Sequence, residues 1–294
     1  MKIVRYRYNG ETAYGVIDGD MVTTPGQSIR GERVGGTDAG SLISLLDAAG
    51  PAHPGIAGSG NSPDRAQRST AQSAAHTGTQ TLPLSEVALL APVRPGKVIA
   101  LGYNYKDLVG ERVAYDEPVI FLKPPSAVIG PGETIVLQED RKVWTEVELA
   151  IIIGKTCRHV SPQQAPDHIL GFTIGNDVTM SNCHGRDHHL ARSKGWDTFC
   201  PLGPAIVTGV DTSSLKMTNS INGRVMQSSS TDKRILNDAE VVSFLSHFFT
   251  LEPGDVILTG TPANAEDSVI RDGDRVSVSI EGLGTLTNTV RADF

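Results

Sequence analysis

The chain has 294 residues, 39% of them hydrophobic, and a formal net charge of −7. That length accommodates one large domain, or a large and a small one, and the acidic balance with scattered Lys and Arg excludes nucleic acid as a natural partner. No apolar run is long enough to span a bilayer, Met1-Lys2-Ile3-Val4-Arg5-Tyr6 reads as a strand rather than a secretory signal, and Cys157, Cys183 and Cys200 lack metal or disulfide spacing. A soluble, cytoplasmic protein with reduced thiols is expected.

In chain order, residues 1–20 read as a β-hairpin, with Asp18-Gly19 as the turn between Tyr14-Gly15-Val16-Ile17 and Met21-Val22. Ser41 to Leu46 is a short capped helix candidate. From Gly50 to Thr81 the composition shifts to Ala, Ser, Gly, Gln and Pro without periodicity, which predicts a flexible linker or mobile loop, with a frayed helix near Ala66. The division that follows is a small N-terminal β-rich domain over 1–49, the linker over 50–81 and a main domain over 82–294. In the main domain, Val98–Leu101, Val119–Leu122, Thr134–Leu137, Val147–Ile153 and Val276–Ile280 are β-branched runs bounded by Gly or Pro and predict strands. Two helices are predicted: one opened by Ser161-Pro162, and one opened by the capping box Asn237-Asp238-Ala239-Glu240, with Val241, Val242, Phe244, Leu245, Phe248 and Phe249 at helical spacing.

The chemistry concentrates in Val143-Trp144-Thr145-Glu146-Val147-Glu148-Leu149. Side chains alternate along a strand, so Glu146 and Glu148 share one face. Asp177 follows at the end of another apolar stretch, Ile169 to Ile174. Three carboxylates in one site repel one another unless a hard cation sits among them, and all-oxygen ligation suits magnesium or manganese, with calcium a further option. The competing readings are a solvated edge-strand face for the glutamates and a turn aspartate for Asp177.

The flanks of these residues resemble the fumarylacetoacetate hydrolase family. Its Y-E-V-E-L-A strand is similar to Thr145-Glu146-Val147-Glu148-Leu149-Ala150, and its G-x-x-x-x-N-D-V block to Gly171–Val178. Its K-x-x-D-T-F-x-P-x-G-P block is matched by Lys194–Pro204, its G-D-x-I-x-T-G-T-P block by Gly254–Pro262, and its G-x-N-Y segment by Gly102-Tyr103-Asn104-Tyr105. The matches keep the family's order from about Pro92 to the C-terminus. The resemblance implies a mainly β fold with a few helices, a mixed β-sandwich roll, in a homodimer. It also implies Glu146, Glu148 and Asp177 as ligands of a divalent cation, Lys194 as a donor near the substrate oxygens, and substrate contacts from Tyr103, Asn104, Tyr105 and Thr261. For Lys194 and Thr261 the plainer alternatives are a surface lysine and a turn residue before Pro262.

Two departures from the family pattern bear on the reaction. Where the family shows N-Y-x-x-H-x-x-E, this chain has Asn104-Tyr105-Lys106-Asp107-Leu108-Val109-Gly110-Glu111. Glu111 is retained, but Leu108 cannot transfer a proton, so the water-activating His–Glu pair is incomplete. Where the family shows N-D-V-S-A-R-D-x-Q, Ser181 replaces the arginine and His184 the glutamine. Arg186 or Arg192 could hold a substrate carboxylate instead. His184 is a candidate for substrate contact first and for proton transfer second, with an ordinary loop histidine as the alternative.

The leading expectation is a metal-dependent hydrolase that cleaves a C–C bond in a small β-dicarbonyl compound or 2-oxo acid through a cation-stabilised enolate. An isomerase, tautomerase or decarboxylase using the same enolate is the alternative that Leu108 favours. A non-catalytic binding protein ranks last.

Overall fold

Every residue of the Val147–Ile153 strand is buried, because strands flank it on both sides and packed side chains cover both faces. This excludes the solvated edge-strand reading of the glutamates. The computed structural model describes residues 1–24, 33–34, 37–38, 80–110, 117–182 and 185–294. The helix expected at Ser41 to Leu46, the frayed helix near Ala66, and Glu111, Cys183 and His184 lie outside the described residues. So does the expected linker up to residue 79.

The N-terminal strands are β1 (Lys2–Tyr8), β2 (Glu11–Asp18) and β3 (Met21–Thr24), followed by a short pair, β4 (Arg33–Val34) and β5 (Thr37–Asp38). Two hairpins join β1 to β3 rather than one: Asn9 and Gly10 turn the first through left-handed backbone, and Gly19 turns the second. The chain continues through β6 (Gln80–Pro83), β7 (Ala88–Leu90), β8 (Val98–Gly102), helix α1 (Lys106–Val109) and β9 (Val119–Lys123). Gln80 and Thr81, expected as the end of the linker, pair with Thr24 and Thr23 in β3 and so belong to a strand. Next come β10 (Val128–Ile129), β11 (Thr134–Leu137), β12 (Val143–Trp144), β13 (Val147–Ile153), β14 (Ile169–Asn176) and β15 (Thr179–Met180). After α2 (Ala191–Lys194) come β16 (Cys200–Val207), β17 (Lys216–Ile221), β18 (Arg224–Ser230), α3 (Asp238–Phe248), β19 (Val256–Leu258), β20 (Arg275–Ile280) and β21 (Gly284–Ala292).

Among the described residues these strands form two main sheets. The larger runs β6-β3-β2-β1-β16-β14-β13-β19-β8-β9, with β7 on β1 and β10 on β16; the smaller runs β11-β21-β20-β17-β18. The N-terminal hairpins extend the large sheet through Lys2↔Val207 and Ile3↔Ile206. Val147, Leu149 and Ile174 of the large sheet pack against Met217, Ile221, Val276, Val278 and Leu286 of the small one. Toward the other end of β13, Ile151 and Ile153 pack with Ile99, Leu101 and Ile257 under Val241, Val242 and Leu245 of α3. The mainly β roll with few helices is therefore present.

Helix α3 starts where the capping box places it: the Asn237 side chain accepts from the Glu240 N–H, and the Glu240 carboxylate accepts from the Asn237 N–H. The segment after Ser161 forms turns and a 3-10 helix over Ala165–His168 instead of the expected α-helix. Pro166 lacks an N–H and crowds the carbonyl four residues back, so an α-helix begun at Pro162 cannot propagate.

Candidate metal centre

The antiparallel β13–β14 ladder sets Val147 opposite Asn176 and Glu148 opposite Gly175. Beyond the last rung, the Asp177 N–H donates to the Glu146 carbonyl at 3.0 Å, and the Glu146 N–H donates to the Asn176 side-chain oxygen at 3.1 Å. Glu146, Glu148 and Asp177 thus converge: each offers a carboxylate oxygen within 4.8 Å of the others, and all three residues are buried.

Two buried lysines face this cluster. Lys194, the last residue of α2, places Nζ 2.5 Å from one Asp177 oxygen and 3.4 Å from Glu146 Oε1, with its ammonium 4.8 Å above the Phe121 ring centre. The α2 turn is itself tied down by Asp187, which accepts from the Ser193 N–H at 2.5 Å. Lys123, at the end of β9, places Nζ 2.5 Å from the other Asp177 oxygen and donates to the Val178 carbonyl at 3.1 Å. Sequence reasoning missed Lys123. The available signal was a charged residue closing the apolar run Val119-Ile120-Phe121-Leu122, in phase with Phe121.

Burial raises the pKa of Glu146, and it raises that of Glu148 well above the usual carboxylate range, with the negative charges of Asp177 and Glu146 adding to the latter. Burial would raise Asp177 too, but the Lys123 and Lys194 ammoniums outweigh it and hold that carboxyl below its ordinary value. Burial works against the Lys194 charge, yet Asp177 and Glu146 overcome it and raise its pKa, so the lysine stays protonated. Three carboxylates facing two ammoniums leave one negative charge in excess when all are ionised. A divalent cation fits this donor set: three hard oxygen ligands, enclosed, with surplus negative charge.

Thr261 is buried, and its hydroxyl accepts from Gln227 at 3.2 Å. The adjacent Gly260 donates its N–H to Glu148 Oε2 at 2.7 Å, from left-handed backbone where an added Cβ would come 3.0 Å from Asn104 Cβ. Asn104 is fully buried, and its amide is engaged by the chain itself, donating to the Thr259 carbonyl at 2.8 Å and accepting from the Leu236 N–H at 2.8 Å. Tyr105 is also fully buried, packs in the core between the sheets and donates to the Met217 sulfur at 3.1 Å. Both side chains therefore act as internal fixings for the segment carrying Tyr103, whose own side chain is exposed. Arg192 is half exposed and pairs with Glu139 at 3.5 Å, while Leu108 is partly exposed on α1.

Fold and site together define a β-rich protein with an enclosed carboxylate centre suited to a divalent cation. Residues 97–291 match the family described as fumarylacetoacetate (FAA) hydrolase C-terminal, and the chain belongs to the fumarylacetoacetate hydrolase family. A Bos taurus protein named "Oxaloacetate tautomerase FAHD2A, mitochondrial" is 41% identical over 233 residues, 73% of this chain and 73% of its own length. The crystal structure of 5-carboxymethyl-2-hydroxymuconate delta-isomerase from Mycobacterium smegmatis is similar with a TM-score of 0.77 at 37% identity, covering 100% of both chains. Maleylpyruvate hydrolase from Sphingobium sp. SYK-6, solved with manganese (II) ion and pyruvate, is similar with a TM-score of 0.72 at 28% identity over 100% of both chains. The chain is thus of an enzyme family that includes tautomerases, isomerases and hydrolases. Among the described residues, no helix is long and apolar enough to cross a membrane.

Proposed function

We propose that this protein is a metal-dependent tautomerase or isomerase of a small 2-oxo acid, working through an enolate. The observation that carries the reading is a buried three-carboxylate, two-lysine centre combined with leucine, at Leu108, where the hydrolytic histidine of the family pattern would stand. Keto–enol exchange needs a carbanion stabilised and a proton moved, but no activated water. A magnesium or manganese ion held by Glu146, Glu148 and Asp177 would supply Lewis-acid stabilisation of negative charge on a carbonyl oxygen.

The chain's own residues supply the rest. Lys194 stays protonated and donates to the developing oxyanion, acting as a fixed charge rather than as the base. Lys123 neutralises Asp177 from the far side, which keeps that carboxylate ionised at a buried position. Thr261 accepts from Gln227, leaving its hydroxyl proton to donate to a substrate carboxylate. Tyr103, whose side chain is exposed, would contact the substrate, and Glu111 and His184 are the proposed proton carriers. The working assembly is a cytoplasmic homodimer.

The second reading, C–C bond hydrolysis, is favoured by the retained Glu111 and by the likeness to maleylpyruvate hydrolase. One experiment separates the two. The protein, loaded with magnesium or manganese, is given the enol of oxaloacetate and, separately, an acylpyruvate in water enriched in heavy oxygen. Accelerated enol loss that stops with chelator, without heavy oxygen in a cleaved product, is the expected result. Heavy oxygen entering a cleaved carboxylate at enzymatic rates would replace the tautomerase reading with the hydrolase one.

A further inference from the structure

Three donors converge on a single oxygen of Glu146. The Trp144 indole N–H reaches Oε1 at 2.7 Å, the Thr179 hydroxyl at 2.8 Å and the Lys194 ammonium at 3.4 Å. The first two belong to one small device: β12 and β15 form a two-stranded antiparallel ladder whose register sets Trp144 opposite Thr179. Each stands two residues from a metal-ligand candidate, Trp144 before Glu146 and Thr179 after Asp177. The Trp144 backbone is fixed further by a bridge to Val269, and the Lys142 ammonium lies 5.5 Å over its ring centre.

A carboxylate oxygen has two lone-pair directions in its plane, and charge-assisted donors of this kind fill them on Oε1. The carboxylate is then no longer free to turn about its terminal bond, and Oε2 is the oxygen left to offer. We propose that Trp144 is a positioning residue that makes Glu146 a one-oxygen ligand and thereby biases the centre toward magnesium or manganese over calcium. Calcium takes six to eight oxygens and readily accepts carboxylates through both, whereas magnesium holds to a compact octahedron. A pinned Glu146 cannot supply the second oxygen that the larger ion uses. The proposal rests on the metal centre of the preceding section.

Calorimetric titration of the full chain with Mn²⁺ and with Ca²⁺ tests it, using the parent, Trp144→Phe and Trp144→His. Loss of the indole donor is expected to weaken Mn²⁺ binding roughly 10–100-fold, the usual effect of removing a group that orients a ligand. Ca²⁺ binding should weaken less or not at all, so the Mn²⁺/Ca²⁺ preference falls. Trp144→His, which keeps a ring N–H, should recover part of that preference. The chain has two tryptophans, Trp144 and Trp196, so Trp196→Phe leaves Trp144 as the sole indole. Its fluorescence should change saturably with Mn²⁺ at the calorimetric midpoint, a readout that needs no change at position 144. Unchanged Mn²⁺ and Ca²⁺ affinities in Trp144→Phe, equal weakening of both ions, or a flat fluorescence titration would overturn the positioning role while the metal centre stands. A parent protein that binds neither ion would overturn the centre and this role together.

Discussion

At the scale of single residues, Asp177 carries an ammonium on each of its oxygens. Removing one partner of a buried pair generally costs about 3–5 kcal/mol, because the remaining charge is left uncompensated. Lys194 still serves Asp177 in Lys123→Met, so the lower end, about 3 kcal/mol, is expected in denaturant unfolding without metal. The same change removes a positive charge beside the cation position, so Mn²⁺ should bind more tightly and recover part of the lost stability. Weaker Mn²⁺ binding would show instead that Lys123 holds Asp177 in place. Leu108→His is the complementary change at the reaction: restoring a proton carrier next to the Glu111 segment should introduce measurable hydrolysis of an acylpyruvate, read as heavy-oxygen incorporation. Lys123 stayed hidden in the sequence because a lone lysine ending a strand is ordinarily a surface residue, and only the fold reveals that its face turns inward. Glu146, Glu148 and Asp177 were legible through the ordered family blocks, whereas an isolated E-x-E would not have separated them from a solvated face.

Among the elements, the Asn237 cap agrees with its sequence signal, whereas the helix signalled by Ser161-Pro162 gives way to a 3-10 turn. The capping box of α3 is complete, so Asn237→Ala should cost about 1 kcal/mol, seen as a lower urea midpoint with unchanged slope. A variant with parental stability would mean that neighbouring groups satisfy the Glu240 N–H. The β-branched runs became strands within a residue or two of their expected ends. The two-residue ladder of β12 and β15 was not legible, because so short a pair carries no periodicity and exists only through its long-range register. Asn104 and Tyr105 show the converse. Both sit in a recognisable segment, but whether an amide or a phenol faces substrate or core depends on Thr259, Leu236 and Met217, all distant in sequence.

For the whole molecule, the opposed pKa shifts give a directional pH dependence. Glu146 and Glu148 have folded pKa values raised by burial, so their contribution to metal-free stability is present below the unfolded carboxylate pKa and is lost as pH rises through the folded values. Asp177 runs the other way: its lowered pKa contributes stability above the unfolded value, lost as pH falls through the folded one. A cation must displace any proton held by the two glutamates, so metal affinity should rise with pH through their raised range and then level off. The checking measurement is the difference in melting temperature with magnesium and with chelator across weakly acidic to neutral pH, where the difference should grow with pH. A constant difference would mean that both glutamates are already ionised across that range.

The placement of β13 also orders events during synthesis. One edge of this strand is covered by β14, which leaves the ribosome soon after it, but the other waits for β19, where Thr259 bonds to the Leu149 carbonyl 110 positions away. Until that later segment emerges, a nascent chain holds Glu146 and Glu148 beside a bare strand edge and lacks the Gly260 N–H that steadies Glu148. Unpaired edges of this kind recruit wrong partners, and such long-range pairing is slow to form. The steadying of Glu148 by the Gly260 N–H is therefore completed only after β19 has docked.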